Sequence, residues 1–388
     1  MPQSPSTIVA VSAVLFISAV AAAGEPQFID VFRGGEEGYP NYRIPSLVVT
    51  KKGTLVAICE GRSRDNDHAD NDLVMKRSHD GGKTWSKLTV LRDEGKATCN
   101  DPVQVVLESG RILLFYALFP EDAHTDEVVP GYEGKVNRHF MMYSDDDGLT
   151  WSAPRDISRQ VRRPDARASA HGAGFGVQLR HAPHAGRILF PMWELRGADK
   201  QMRAYCAISD DGGQNWKTSE ALPDGSKEGQ RFNANEWIIL EREDGSLLMN
   251  ARGWNMPPPT FRVRSLSTDG GLHWKPAAVS PQLPEPQCHG SMLRFSSAPT
   301  SGKSRILFAN PATHMGRKKG TIRLSYDEGE TWPVAKELVP GIFRYSCLAI
   351  LPDQTICCLF EQGPADTPRI TLARFSLAWV TDGKDDGK

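Results

Sequence analysis

An eight-residue pattern, Ser-x-Asp-x-Gly-x-x-Trp, occurs five times in this chain, beginning at Ser78, Ser144, Ser209, Ser267 and Ser325. The intervals are 66, 65, 58 and 58 residues. Recurrence at so regular a spacing means that one supersecondary unit is copied along the chain. Each box follows a strand-like run: LVMKR, FMMYS, AYCAIS, FRVRSLS and TIRLS. A second, fainter repeat lies upstream, a polar turn entering an apolar strand: KKGTLVAI, ESGRILLF, HAGRILF, EDGSLLM and SGKSRILF, with PDQTICCLF as a sixth. Gly53, Gly110, Gly186, Gly245, Gly302 and Asp353 mark these turns, and the box serines follow the first five by 25, 34, 23, 22 and 23 residues. The sixth unit has no box, but 23 residues after Asp353 lies Ser376, just past ITLARF.

Strand, turn, strand, loop, strand, box, strand gives four antiparallel strands per unit. Six such units predict an all-β chain, a six-bladed β-propeller with little helix. An open solenoid would also repeat. The missing sixth box favours closure instead: the strand FIDVF, Phe28 to Phe32, completes the last blade and removes an unpaired edge.

SDDDGLTW, Ser144 to Trp151, looks chemical, with Asp145, Asp146 and Asp147 in a row. It lacks the alternating acid spacing and closing Glu of a calcium loop. As a hairpin turn it makes better sense. The box Asp accepts backbone N–H bonds, the Gly supplies a positive φ, and the Trp folds beneath as an apolar plug. Asp146 should therefore matter for folding, while Asp145 and Asp147 should be replaceable.

Bulk properties narrow the function classes. Residues 1–23 read as an export signal: an uncharged run from Ile8 to Val20 ends at Ala21-Ala22-Ala23. The run is short for a membrane span. Cleavage would leave 24–388 as one propeller domain, secreted or periplasmic and without stable membrane insertion. Lys plus Arg is 46 against 47 for Asp plus Glu, so charge gives no hint of a nucleic-acid partner. The seven cysteines are scattered and form no CxxC pair, which disfavours zinc and redox motifs. Buried free thiols are expected, with one disulfide left open.

Hairpin geometry locates the candidate chemistry. Residues equally far before and after an antiparallel turn lie side by side. Arg43 is 10 before Gly53 and Arg62 is 9 after; Glu236 is 9 before Gly245 and Arg252 is 7 after; Tyr345 and Glu361 are each 8 from Asp353. All six should lie at the strand ends away from the Gly turns. The loops holding Asp67 and Arg317 emerge on the same face, and the boxes on the opposite one. Three arginines at matching ends suit one anion, since a guanidinium binds a carboxylate bidentately. His171, His289 and His314 near this rim read as structural histidines.

YRIP (Tyr42 to Pro45), the five boxes, NEW…DGSLLMNAR (Asn235 to Arg252), RKKGTIRLSYDEGETW, YSCL and CLFEQG together resemble the exo-α-sialidases (neuraminidases) of bacterial and animal type, over nearly all of 24–388. The resemblance implies roles residue by residue. Arg43, Arg252 and Arg317 would bind the sugar carboxylate, with Glu361 orienting Arg43 and Arg62 lining the pocket. Tyr345 would be the nucleophile, Glu236 its base and Asp67 the general acid/base. The reaction would be retaining hydrolysis of terminal α-linked sialic acid from glycoproteins, glycolipids or oligosaccharides, with no metal or cofactor required. A neutral phenol suits a substrate whose anomeric carbon bears a carboxylate, because an anionic nucleophile would be repelled. Trp237 and Ile238 stand where the family has a small residue and Gln, and Phe175 where many relatives have His; both are expected to reshape the pocket. They keep open a related deaminated sugar as substrate. A non-catalytic propeller that binds sialoglycans would also carry the three arginines but need not keep Tyr345, Glu236 and an acid near 67, and a trans-sialidase, which passes the sugar to another glycan, is a further alternative.

Overall fold

Among the described residues, 26 strands and three single-turn helices make up the regular structure. The computed structural model describes residues 24–388 except 122, 198–200, 224–231, 255 and 365–366. The expected signal segment, 1–23, lies outside the described residues. The middle strands explain why apolar runs rather than alternating patterns mark the units. Leu55–Arg62 and Leu247–Gly253 are buried at every residue, because their sheets are covered on both faces. The outermost strands are wetter: Val334–Ile342 has a single fully buried position.

The strands form five sheets, giving an all-β, propeller-like fold. Three have four strands in simple antiparallel order, and one has five. The fifth has nine strands: two mainly antiparallel groups are joined by the parallel pair Asn71–Thr98, and the short strand Gly174–Phe175 adds parallel to Thr98–Val106. Closure occurs as expected. Gln27–Arg33 pairs antiparallel with Arg369–Phe375, setting Phe28 opposite Ala373 and Ile29 opposite Leu372. No helix among the described residues is long and apolar enough to cross a membrane. All seven cysteines are buried and free.

The boxes share one hydrogen-bond arrangement. In the second, Ser144 Oγ accepts from Gly148 N at 2.9 Å and donates to Asp146 Oδ1 at 2.9 Å. Asp146 also accepts from Thr150 N at 2.8 Å and from the Thr150 hydroxyl. The Ser–Gly bond recurs at Ser78, Ser209, Ser267 and Ser325. These bonds hold the box aspartates below their usual range, Asp146 and Asp211 at about 2.

Each box glycine meets two demands at once. All five have φ between +77° and +90°. A Cβ on any of them would also press on the unit before: Gly82 on Leu372, Gly148 on Val56, Gly213 on Leu113, Gly271 on Leu189 and Gly329 on Leu248. The first of these contacts spans the closure between first and last units. The tryptophans pack between units too. Trp216 lies edge-on to Phe115 and Phe190, with centroids 5.2 and 5.0 Å away.

Asp147 departs from the expectation of replaceability. Its backbone sits at φ 69°, and its carboxylate accepts from the Thr54 hydroxyl of the preceding unit, with Arg77 at 3.8 Å. Asp145 meets the expectation: it is exposed and pairs only with Arg111 on the surface, a pair worth little.

Asp146→Ala should lower Tm by about 2–4 °C, Asp147→Ala should also lower it, and Asp145→Ala should leave it nearly unchanged in a calorimetric scan. Because the folded box aspartates titrate below the unfolded value of about 3.9, their contribution is complete above that pH. It is lost as pH falls towards 2.

Candidate active site

The site lies at the strand ends remote from the Gly turns. Leu55 pairs with Ser78 at the turn end of the first unit, whereas Arg62 pairs with Asn71 at the other. The boxes therefore face away from it. Tyr345 flanks Glu361, whose backbone N–H bonds Tyr345 O at 3.0 Å. In the first and fourth units the hairpin register shifts near the site. Bulges between Arg43 and Ser46, and between Ala234 and Trp237, place Arg43 opposite Glu60 and put Glu236 inside a bulge. A bulge re-aims a side chain that strict alternation would fix.

Tyr345 is the centre of the group. Its hydroxyl donates to Glu236 Oε1 and accepts from Arg252 Nη1 at 2.8 Å. The same Nη1 reaches Glu236 Oε1 at 2.7 Å. The guanidinium carbons of Arg43 and Arg317 lie 5.4 and 5.5 Å from the Tyr345 ring centroid. Three arginines from three units thus surround one phenol. Arg43 Nε pairs with Glu361 Oε1 at 2.8 Å, and that oxygen also accepts from Ile44 N at 2.7 Å. Arg317 donates to Gln287 O at 3.0 Å.

Beside Arg43, Arg62 is buried between two carboxylates. It pairs with Glu60 at 2.6 Å and with Asp67 at 2.8 Å. The Asp67 side chain remains 67% exposed and lies 3.9 Å from Arg43. The eight expected site residues therefore gather in one place.

The electrostatics set distinct protonation states. Burial pushes the Tyr345 phenol far above its usual range, and the neighbouring Glu236 charge adds to this. Burial would also raise Glu236, but Arg252, His289 and the Tyr345 hydrogen bond outweigh it and hold the carboxyl low. The resting pair is a neutral phenol against a carboxylate. Desolvation opposes ionisation of Asp67 too, yet Arg62 and Arg43 hold it below its usual value.

Two further residues belong to the site. Glu60 is fully buried and accepts from Asp101 N at 2.9 Å, besides holding Arg62. Asp101 has φ 52°, and burial, then Glu60 and Glu236, push its carboxyl well above the usual range. The repeat register held the signal for Asp101. It lies 9 residues before Gly110, as Ile44 does before Gly53 and Glu236 before Gly245. Ile44 and Asp101 both precede proline in a left-handed conformation, a strain characteristic of functional sites.

Trp237 does not shape the pocket as expected. It is fully buried, donates Nε1–H to Met192 O of the preceding unit at 2.7 Å and meets Trp274 edge-on, so it serves the core between the third and fourth units. Phe175 packs partly buried against apolar clusters of the first, second and last units. His171 and His289 are buried, the latter 5.6 Å from the Tyr345 ring, and His314 bonds Thr260 O on the rim.

The fold is all-β and propeller-like, with a phenol, a carboxylate and three arginines gathered at one rim. Residues 53–358 match the family model described as a BNR repeat-like domain. A sialidase of Micromonospora viridifaciens is 35% identical over 93% of this chain and 56% of its own length. A sialidase of Bacteroides fragilis is 28% identical over 87% of this chain and 63% of its own. The solved structure of the Hadza microbial sialidase Hz136 superposes with a TM-score of 0.79 at 28% identity, covering 89% of this chain and 68% of that one. The chain belongs to the BNR repeat-like domain family, and the two curated relatives named above are sialidases. It spans less than two thirds of the length of the two curated relatives.

Glu361→Gln keeps volume but leaves the nearly buried Arg43 without its close charge partner. Removing one member of such a pair costs about 3–5 kcal/mol when nothing relaxes. Tm should fall by several degrees, read by calorimetry.

Proposed function

We propose that this protein is a secreted or periplasmic exo-α-sialidase that hydrolyses terminal α-linked sialic acid from glycoconjugates with retention of configuration. One observation carries this: the Tyr345 hydroxyl is hydrogen-bonded to Glu236 and Arg252, with Arg43 and Arg317 flanking the same ring. Arg43, Arg252 and Arg317 bind the sugar carboxylate and set the anomeric carbon over Tyr345 Oη. Tyr345 attacks that carbon as Glu236 takes its proton, while Asp67 protonates the departing glycosidic oxygen. In the second step Asp67 deprotonates water, which cleaves the tyrosyl–sugar bond, and Glu236 returns the proton to Tyr345. Glu361 fixes Arg43, and Arg62 lines the pocket beside Asp67.

Substrate binding also solves a protonation problem. Arg62 and Arg43 depress Asp67 in the free protein. A substrate carboxylate on Arg43 offsets part of that field and lets Asp67 rise towards the protonated form an acid needs.

Six blades are part of the proposal. The halves of the nine-stranded sheet share one residue pair, which supports counting them as two blades. An export signal over 1–23 and one propeller over 24–388 complete it.

With a fluorogenic aryl sialoside, Tyr345→Phe should lower kcat at least about 10²-fold, and Asp67→Ala should slow alkyl sialosides about 10²–10⁴-fold. NMR of the first-released sugar should show the α-anomer. Unchanged turnover in Tyr345→Phe would rule out the nucleophile.

A further inference from the structure

The segment that carries Asp67 is held from three sides, and only one of these holds hydrogen-bonds the carboxylate. Arg62 bonds the carboxylate itself. Asn100 Nδ2 and Asn71 Nδ2 bond the Asp67 backbone carbonyl at 3.0 and 3.3 Å. The third hold is the next residue. His68 N donates to Asn66 Oδ1 at 2.7 Å, and its ring enters a seat built by the following unit. Phe119 and His124 each meet the ring edge-on with centroids 5.0 Å away, and the Thr125 hydroxyl lies 3.1 Å from Nε2. Asp67 and His68 are the two central residues of a turn in which Ala69 N bonds Asn66 O at 3.4 Å, so a shift of one side chain carries the other with it. The depth of His68 in its seat therefore limits how far Asp67 can reach.

We propose that His68 is a positioning residue: seated against Phe119, His124 and Thr125, it sets the distance from Asp67 to the leaving-group oxygen. This rests on Asp67 being the proton donor. A misplacement of about 1 Å can cost about 10²-fold in rate. The loss should appear only where protonation of the leaving group is needed. The two neighbouring units would then share the proton-transfer step, one supplying the acid and the other its stop.

The test compares a sialyl-galactoside, whose leaving alcohol needs a proton, with an aryl sialoside, whose phenol needs little. His68→Ala should lower kcat on the galactoside about 10- to 100-fold, with KM changed less than about twofold. Turnover of the aryl sialoside should change less than about threefold. His68→Phe, which keeps a ring in the seat, should restore most of the loss. Thr125→Val removes one hydroxyl and should give a smaller loss of the same kind; it carries the test alone if His68→Ala does not fold. Equal losses on both substrates, or none on either, would overturn the proposal. Asp67→Asn is the control. Leaving-group dependence in Asp67→Asn without any in the His68 and Thr125 variants defeats the positioning role alone. Its absence in Asp67→Asn defeats the proton-donor assignment as well.

Discussion

The contact of each box glycine with the unit before it is the constraint on which this protein depends. A four-stranded sheet with apolar residues on both faces is not stable alone, and the box locks it to its neighbour. The serine–aspartate bonds hold the turn in shape, and the left-handed glycine lets it approach a Leu or Val of the preceding unit closely. The same contact between Gly82 and Leu372 helps close the ring, together with the pairing of Gln27–Arg33 to Arg369–Phe375. Strand ends from distant parts of the sequence then face one another across the rim.

That convergence lets the fold keep buried charge. Arg43 and Glu361 are 318 positions apart in sequence yet paired at 2.8 Å. Tyr345, Glu236 and Arg252 come from two units and share two hydrogen bonds and an ion pair. Burial would push Glu236 towards neutrality, and Arg252 prevents it. Strain gathers at the same rim: Ile44 and Asp101 on first strands, and Asn233 and Gln287 just before them, all have positive φ. Chain order within each unit fixes the scaffold, and local irregularity at the rim aims the chemistry.

Much of this was legible in the chain. Five boxes and six Gly-type turns set the units, the strand order and the face on which Arg43, Glu236 and Tyr345 meet. The pairing of Tyr345 with Glu361 followed from counting residues about Asp353. Glu60 and Asp101 were missed because their importance comes from burial and from each other. Trp237 was misplaced because the bulge before it turns its side chain into the core, where its N–H finds Met192 O. Asp147 was misjudged because its partner Thr54 is 93 residues away.

The sequence by itself determined the repeat, the closure of the last unit by Phe28–Phe32, and which residue types stand at the rim. These follow from local rules of turn chemistry and strand periodicity. The tertiary structure alone decided the bulge geometry, the protonation states of Tyr345, Glu236 and Asp67, and the seat of His68. Those depend on distances between side chains from different units and on how far each charge is removed from water, which residue spacing along one chain does not encode.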